Sequence, residues 1–210
     1  MKENQLMEEE NILLAKSSKS ILALGAKVLA NAFQKDPLWV YFFQNELKRF
    51  NKLVQIFKMA IQYGISHGKV YATSEKMEGV AIWLPDNKVD MSLYQIIRSG
   101  GLSVLQTLNL KEMIQSLQFS NFSSAIHNKS ARFRHCHLQC IGIHSEFQGK
   151  GFASKLIKPM LKKLDVEKTP CSLDTQNKEN VHLYQHYKFR VVSEKRIPGT
   201  SIGHWFMVRP

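Results

Sequence analysis

Apolar residues recur at helical spacing over residues 20–34, where Ile21, Leu24, Val28, Leu29, Ala32 and Phe33 form one stripe. The spacing predicts a helix that stops at Asp36-Pro37, because the residue before a proline avoids helical backbone. A longer stripe follows over 46–67, through Leu47, Phe50, Leu53, Val54, Phe57, Ala60, Ile61 and Ile65, and His67-Gly68 ends it. The period then shortens. Lys69–Thr73 and Glu78–Leu84 read as two strands of a hairpin, with a turn at Pro85-Asp86-Asn87. Residues 91–128 return to helical patterning in three pieces, Ser92–Arg98, Leu102–Leu108 and Lys111–Gln118, broken by Gly100-Gly101 and Asn109. Their apolar residues are expected mainly as core stripe, with the lining of a hydrophobic pocket as the alternative. The rest alternates: a strand at Leu138–Ile143, an amphipathic helix at Ser154–Leu164, a strand over Cys171–Asn177 ending in a polar turn, and a short helix at Asn180–Tyr187. Strands at Phe189–Ser193 and within Ile197–Arg209 close the chain. With 210 residues and no linker or repeat, one α/β domain (α+β type) spanning 1–210 is expected.

Composition narrows the class. Hydrophobic residues make up 44%, enough for a packed core. The formal charge of +12 points to an anionic ligand or to a basic solvated surface. Nucleic acid ranks last as a partner, because the basic residues are scattered rather than striped with aromatics. Cys136, Cys140 and Cys171 form no Cys-x-x-Cys pair. Zinc at His135 and His137 lacks the spacing of a closed site, so free thiols and no metal are expected. The acidic start Met1–Glu10 is no signal peptide, and Ile21–Ala30 is too short to span a bilayer. A cytoplasmic location with no membrane partner is the expectation.

The most informative stretch is Gln148-Gly149-Lys150-Gly151-Phe152-Ala153, with Ser154 opening the helix behind it. A glycine-rich turn between a strand and a helix N-terminus exposes backbone N–H groups to an anion, and the helix dipole adds partial positive charge. Lys150 adds a full charge. No Walker A string is present, and the third glycine of a dinucleotide fingerprint is missing.

The pattern Gln-x-x-Gly-x-Ala resembles the acyl-CoA pyrophosphate loop of the GCN5-related N-acetyltransferase (GNAT) family. Asn177, Tyr184 and Lys188-Phe189 extend the resemblance, with Lys188 where the family carries glycine. That departure implies a helix end without a left-handed glycine cap. Ala32–Pro37 and Gly79–Pro85 look like segments of one bacterial and fungal subgroup. The resemblance implies a GNAT-like mixed, mostly antiparallel twisted sheet with helices on both faces. It makes 91–128 a helical insertion before the CoA-binding strand. It also implies acetyl-CoA as cosubstrate, bound where the fourth and fifth strands splay, and an amine acceptor. A homodimer through the last strands is a fold-level analogy.

Acetyl transfer to an amine needs a deprotonated nucleophile, a donor facing the thioester oxygen and a proton for the leaving thiolate. The resemblance assigns backbone groups near Ile141 and Ile143 to the pantetheine amides and the thioester oxygen. Gln148 through Ser154, with Asn177, hold the rest of the cofactor. Tyr184, a phenol with an ordinary pKa near ~10, is the acid. His137 is a candidate base, since histidine as a side-chain type titrates near ~6.5; His135, His182, His186 and His204 are not ranked against it by spacing. Two further readings stand beside this enzyme: an acyl-CoA binder with little turnover, and an acyltransferase for longer chains.

Overall fold

The computed structural model describes residues 12–13 and 19–210. In chain order the elements are β1 (Ile12–Leu13), α1 (Lys19–Phe33), α2 (Pro37–Phe42), α3 (Glu46–His67), β2 (Lys69–Ala72) and β3 (Gly79–Pro85). The insertion follows as α4 (Leu93–Ile96), α5 (Leu102–Leu105) and α6 (Leu110–Ser130). Then come β4 (Cys136–Ile143), α7 (Phe152–Val166), β5 (Cys171–Thr175), α8 (Lys178–His186), β6 (Arg190–Arg196) and β7 (Gly203–Arg209).

The seven strands form one sheet in the order β1-β2-β3-β4-β5-β7-β6. Only β4 and β5 run parallel; every other pair is antiparallel. A parallel pair needs a crossover, and α7 supplies it. Helices cover both faces. Val80, Ile82 and Leu84 of β3 share a core with Leu29 of α1 and Leu53, Phe57 and Ile61 of α3. The alternate residues Ala81 and Trp83 pack with Leu156, Ile157 and Met160 of α7. This strand is buried on both faces, which explains its unbroken apolar run. At the sheet edge β6 reads Arg-Val-Val-Ser-Glu-Lys-Arg, and its charges discourage further pairing.

The helix ends follow local chemistry. Asp36 caps α2 by accepting from the Leu38 N–H at 3.0 Å, with Pro37 in the first turn. Asn109 and Glu112 form a reciprocal capping box on α6. Glu112 also pairs with Lys52, which ties the insertion to α3.

Two expectations for the insertion need correction. The third insertion helix extends beyond Gln118 to Ser130, carried by Phe119, Phe122 and Ile126, which pack inward at helical spacing. Its asparagines and serines weaken local propensity, so tertiary packing sustains it. The insertion is also not simply a core stripe. Leu93, Tyr94, Leu102, Leu110 and Leu117 are each more than half exposed.

Lys188 takes φ +68, so the end of α8 is left-handed after all. The Phe189 N–H closes it by donating to the Tyr184 carbonyl at 3.2 Å. A lysine here accepts the steric penalty that glycine avoids.

Candidate active site

The site begins with how β4 changes partners along its length. Cys136, His137 and Leu138 pair with Cys171, Ser172 and Leu173 of β5, and pairing stops there. On the other edge, β4 stays paired to β3 as far as Ile143. The β3 register jumps between Ile82, opposite Cys140, and Trp83, opposite Leu138. Gln139 is therefore the extra residue of a β-bulge. The bulge resets the alternation of side chains, so that Leu138, Ile141 and Ile143 all face the α7 core.

Past the bulge, the His144 N–H donates to the Glu78 carbonyl next to β3. Backbone groups alternate along a strand, so those of Ile141 and Ile143 point to the opposite edge, where β5 has left. The Ile143 carbonyl accepts from Gln148 Nε2 at 3.0 Å. The remaining backbone groups of Ile141 and the Ile143 N–H face the gap.

That gap is a cleft of about 530 Å³. Among the expected site residues, Ile141, Ile143, Gln148, Gly149, Gly151, Phe152, Ala153, Ser154, Asn177 and Tyr184 line it together. Gly149 and Gly151 have φ of +75 and +83, and beyond the adjoining backbone no atom lies within 4 Å of where a Cβ would stand on either. Glycine supplies both turns and leaves the approach open. Gly151 begins α7 without a side-chain cap, which leaves the first N–H groups of the helix able to receive an anion. These features fit a cosubstrate with a pyrophosphate and an amide-bearing arm.

Some expected residues behave differently. Lys150 lies outside the lining, its ammonium 5.6 Å from the Phe147 ring centre. The Asn177 side-chain oxygen caps α8, accepting from the Glu179 N–H at 3.0 Å. The Ser154 and Tyr187 hydroxyls are hydrogen-bonded at 2.8 Å.

Tyr184 is nearly buried, on the inner face of α8. Burial raises its phenol well above the ordinary range, and the nearby Cys140, Asp174, Tyr187 and Asp36 push it further. It is therefore a protonated donor at neutral pH. His137 does not line the cleft. The bulge comes after it, and its ring points to the face opposite Leu138, where it meets His127 and Phe206. Its Nδ1 is 2.8 Å from Ser172 Oγ, and Nε2 lies 3.5 Å from Asp174. Of the other histidines, His182 and His186 are exposed on α8, and His204 is fully buried beside Asp174.

Asp36 was not among the residues expected at the site, yet it lines the same cleft. Burial pushes its carboxyl up to about 6, against the Leu38 and Trp39 N–H groups that hold it down. The signal in the sequence, an Asp before a Pro, reads as a helix cap; only the approach of α1 to β4 brings it into the cleft that Tyr184 also lines. The three cysteines are free thiols, with Cys171 fully buried. Burial pushes Cys136 up to about 12 and raises the other two as well, so none is poised to react.

Comparison with known proteins decides the family. The model of the acetyltransferase (GNAT) family matches residues 116–189. An uncharacterised N-acetyltransferase of Schizosaccharomyces pombe is 30% identical over 173 residues, covering 79% of this chain and 69% of that protein. The chain belongs to the GNAT family of acetyltransferases. As such it is an acyl-CoA-dependent enzyme of that family. Its fold matches that of the histone acetyltransferase HPA2 and related acetyltransferase of Corynebacterium glutamicum, with a TM-score of 0.61 at 17% identity, covering 96% of each chain. A putative arylalkylamine N-acetyltransferase 7 of Aedes aegypti gives 0.59 at 10% identity, covering 92% of this chain and 84% of that one. Among the described residues no helix is long and apolar enough to cross a membrane.

Proposed function

We propose that this GNAT chain transfers an acetyl group from acetyl-CoA directly to a primary amine, with both substrates held in the cleft at once. The observation that carries the reading is the parting of β4 from β5 beside the uncapped start of α7, with Tyr184 and Asp36 lining the same opening. Acetyl-CoA, when bound, supplies the acyl group as a thioester. The α7 N-terminus and the Gly149–Gly151 turn hold its pyrophosphate. The free backbone groups of Ile141 and Ile143 orient its arm, and an N–H there faces the acyl oxygen.

Proton handling falls to two side chains. With His137 turned to the opposite face, the reading gives the base role to Asp36. Its carboxyl, raised to about 6, is ionised at neutral pH and basic enough to accept an ammonium proton in a desolvated site. Its negative charge also favours a cationic acceptor. Tyr184 keeps its proton and donates it to the departing sulfur. Holding both reactants in one cleft removes the entropy of a bimolecular encounter.

The test is thermal unfolding with acetyl-CoA, CoA or ATP, followed by thiol release across a panel of primary amines. A rise of several degrees with acetyl-CoA and little with ATP, plus amine-dependent thiol release, is the expected result. No shift at millimolar acetyl-CoA would sink the proposal. Binding without release for any amine would favour a carrier over a catalyst.

A further inference from the structure

Three histidines meet on the face of β4 that the cleft does not use. His127 comes from the last turn of α6, His135 from the segment entering β4, and His137 from β4 itself. Their exposures are 6%, 3% and 2%. One ring nitrogen from each lies within 4.8 Å of one from each of the others. Such burial of three imidazoles against each other is costly unless something satisfies their nitrogens.

Hydrogen bonding within the cluster does so incompletely. His135 Nδ1 is 2.7 Å from the Phe133 carbonyl, which makes Nδ1 the donor and leaves the Nε2 lone pair pointing inward. His127 Nε2 sits 2.9 Å from that Nε2. Two facing nitrogens can share only one proton, and the other His127 nitrogen, Nδ1, is buried with no partner. His137 is braced at both nitrogens, by Ser172 Oγ at 2.8 Å and by Asp174 Oδ1 at 3.5 Å. A metal-ligating imidazole is held through its second nitrogen; at His135 that partner is the Phe133 carbonyl, and at His137 one of the two contacts is exchanged for the ion while the other is kept.

We propose that His127, His135 and His137 form a binding site for a first-row divalent metal ion, Zn²⁺ in the first instance, which clamps the insertion helix α6 to the start of β4. Three neutral imidazoles without a thiolate suit Zn²⁺, and also Cu²⁺ or Ni²⁺, far better than Mg²⁺ or Ca²⁺. At metal–nitrogen bonds of ~2.0–2.1 Å, ligand atoms in a tetrahedral site stand about 3.4 Å apart. The His127–His135 pair therefore opens slightly and His137 moves in. Asp174 or a solvent molecule completes the coordination. The ion lies away from the cleft, so its role is structural, and the proposal does not depend on the acetyl-transfer reading.

The test uses the full chain, dialysed against chelator and then titrated with Co²⁺ or Zn²⁺ alone, with Mg²⁺ as control. One equivalent of Co²⁺ giving the intense visible bands of a tetrahedral nitrogen site, displaced by Zn²⁺, is expected. Zn²⁺ raises Tm by several degrees and Mg²⁺ does not. In His127→Gln the bands disappear. In His182→Gln, which breaks the exposed i,i+4 pair with His186 on α8, they persist. If His127→Gln does not fold, the wild-type spectrum and stoichiometry decide alone. Weak octahedral bands, binding below one equivalent, or bands lost in His182→Gln but kept in His127→Gln would overturn the site.

Discussion

The two halves of β4 make opposite uses of the same strand. From Cys136 to Leu138 it is paired on both edges, and His137 is enclosed with His127 and His135. From Ile141 to Ile143 it is paired on one edge only, and its free backbone groups open onto the cleft. The bulge at Gln139 separates the halves. A strand with both edges paired offers only its side chains to chemistry. A strand that has lost one neighbour also offers its backbone, the less variable binding surface because every residue carries it.

Breaking the open half is expected to give the largest effects. Asp36→Asn should lower kcat by about 10²–10⁴-fold, the usual range for a lost general base, while acetyl-CoA still raises Tm. The wild-type kcat/KM should climb through about pH 6, where Asp36 ionises, and the variant should lose that limb. The same variant has a second signature. The folded-state carboxyl stands above the ordinary 3.8, so between about pH 4 and 6 the folded protein binds a proton that the unfolded chain releases. Stability contributed by Asp36 falls as pH rises through that window and stays lower at neutral pH. Denaturation at pH 7.5 should then show the Asn variant more stable by ~1–3 kcal/mol. A variant that is both inactive and less stable would argue against a strained base.

Tyr184→Phe tests the acid at the same cleft. A loss of about 10²-fold in kcat with unchanged acetyl-CoA affinity is expected; an unaltered rate would remove Tyr184 from the proton path. Gly151→Val attacks the cradle instead. Its φ of +83 excludes a branched side chain, and the new atoms would fill the approach to the α7 amides. Acetyl-CoA affinity should fall roughly 10–100-fold by calorimetry, the scale of lost helix-terminus and backbone contacts. Normal affinity would move the anion elsewhere.

The smallest effect lies outside both halves of β4. Lys188→Gly relieves a left-handed lysine and should stabilise the fold by about 1 kcal/mol, seen as a Tm rise of ~2–4 °C. Activity should not change. No gain in Tm would mean that the lysine is held there without strain.

Much of the cleft was legible before the structure. The Gln148–Ala153 turn carries its own signal, because glycines between a strand and a helix have few other uses. Tyr184 and Asn177 entered only through the resemblance to the family, and the structure places both on the cleft lining. Asp36 was hidden, since an acid before proline is first a cap, and its closeness to Tyr184 spans most of the chain. His137 was misleading for the opposite reason. An imidazole is a common base, but the direction of this ring depends on a bulge two residues later that composition does not reveal.

By itself, the sequence determined the succession of helices and strands, a helical stretch ahead of β4 and a glycine turn at the head of α7. These rest on period, caps and glycine stereochemistry, which act over a few residues. Tertiary structure alone decided where β4 leaves β5, which face each β4 side chain takes, and that Asp36 joins Tyr184 while His127 joins His135 and His137. Those outcomes depend on register and on packing between segments far apart in the chain, where a one-residue bulge exchanges the buried face for the open one.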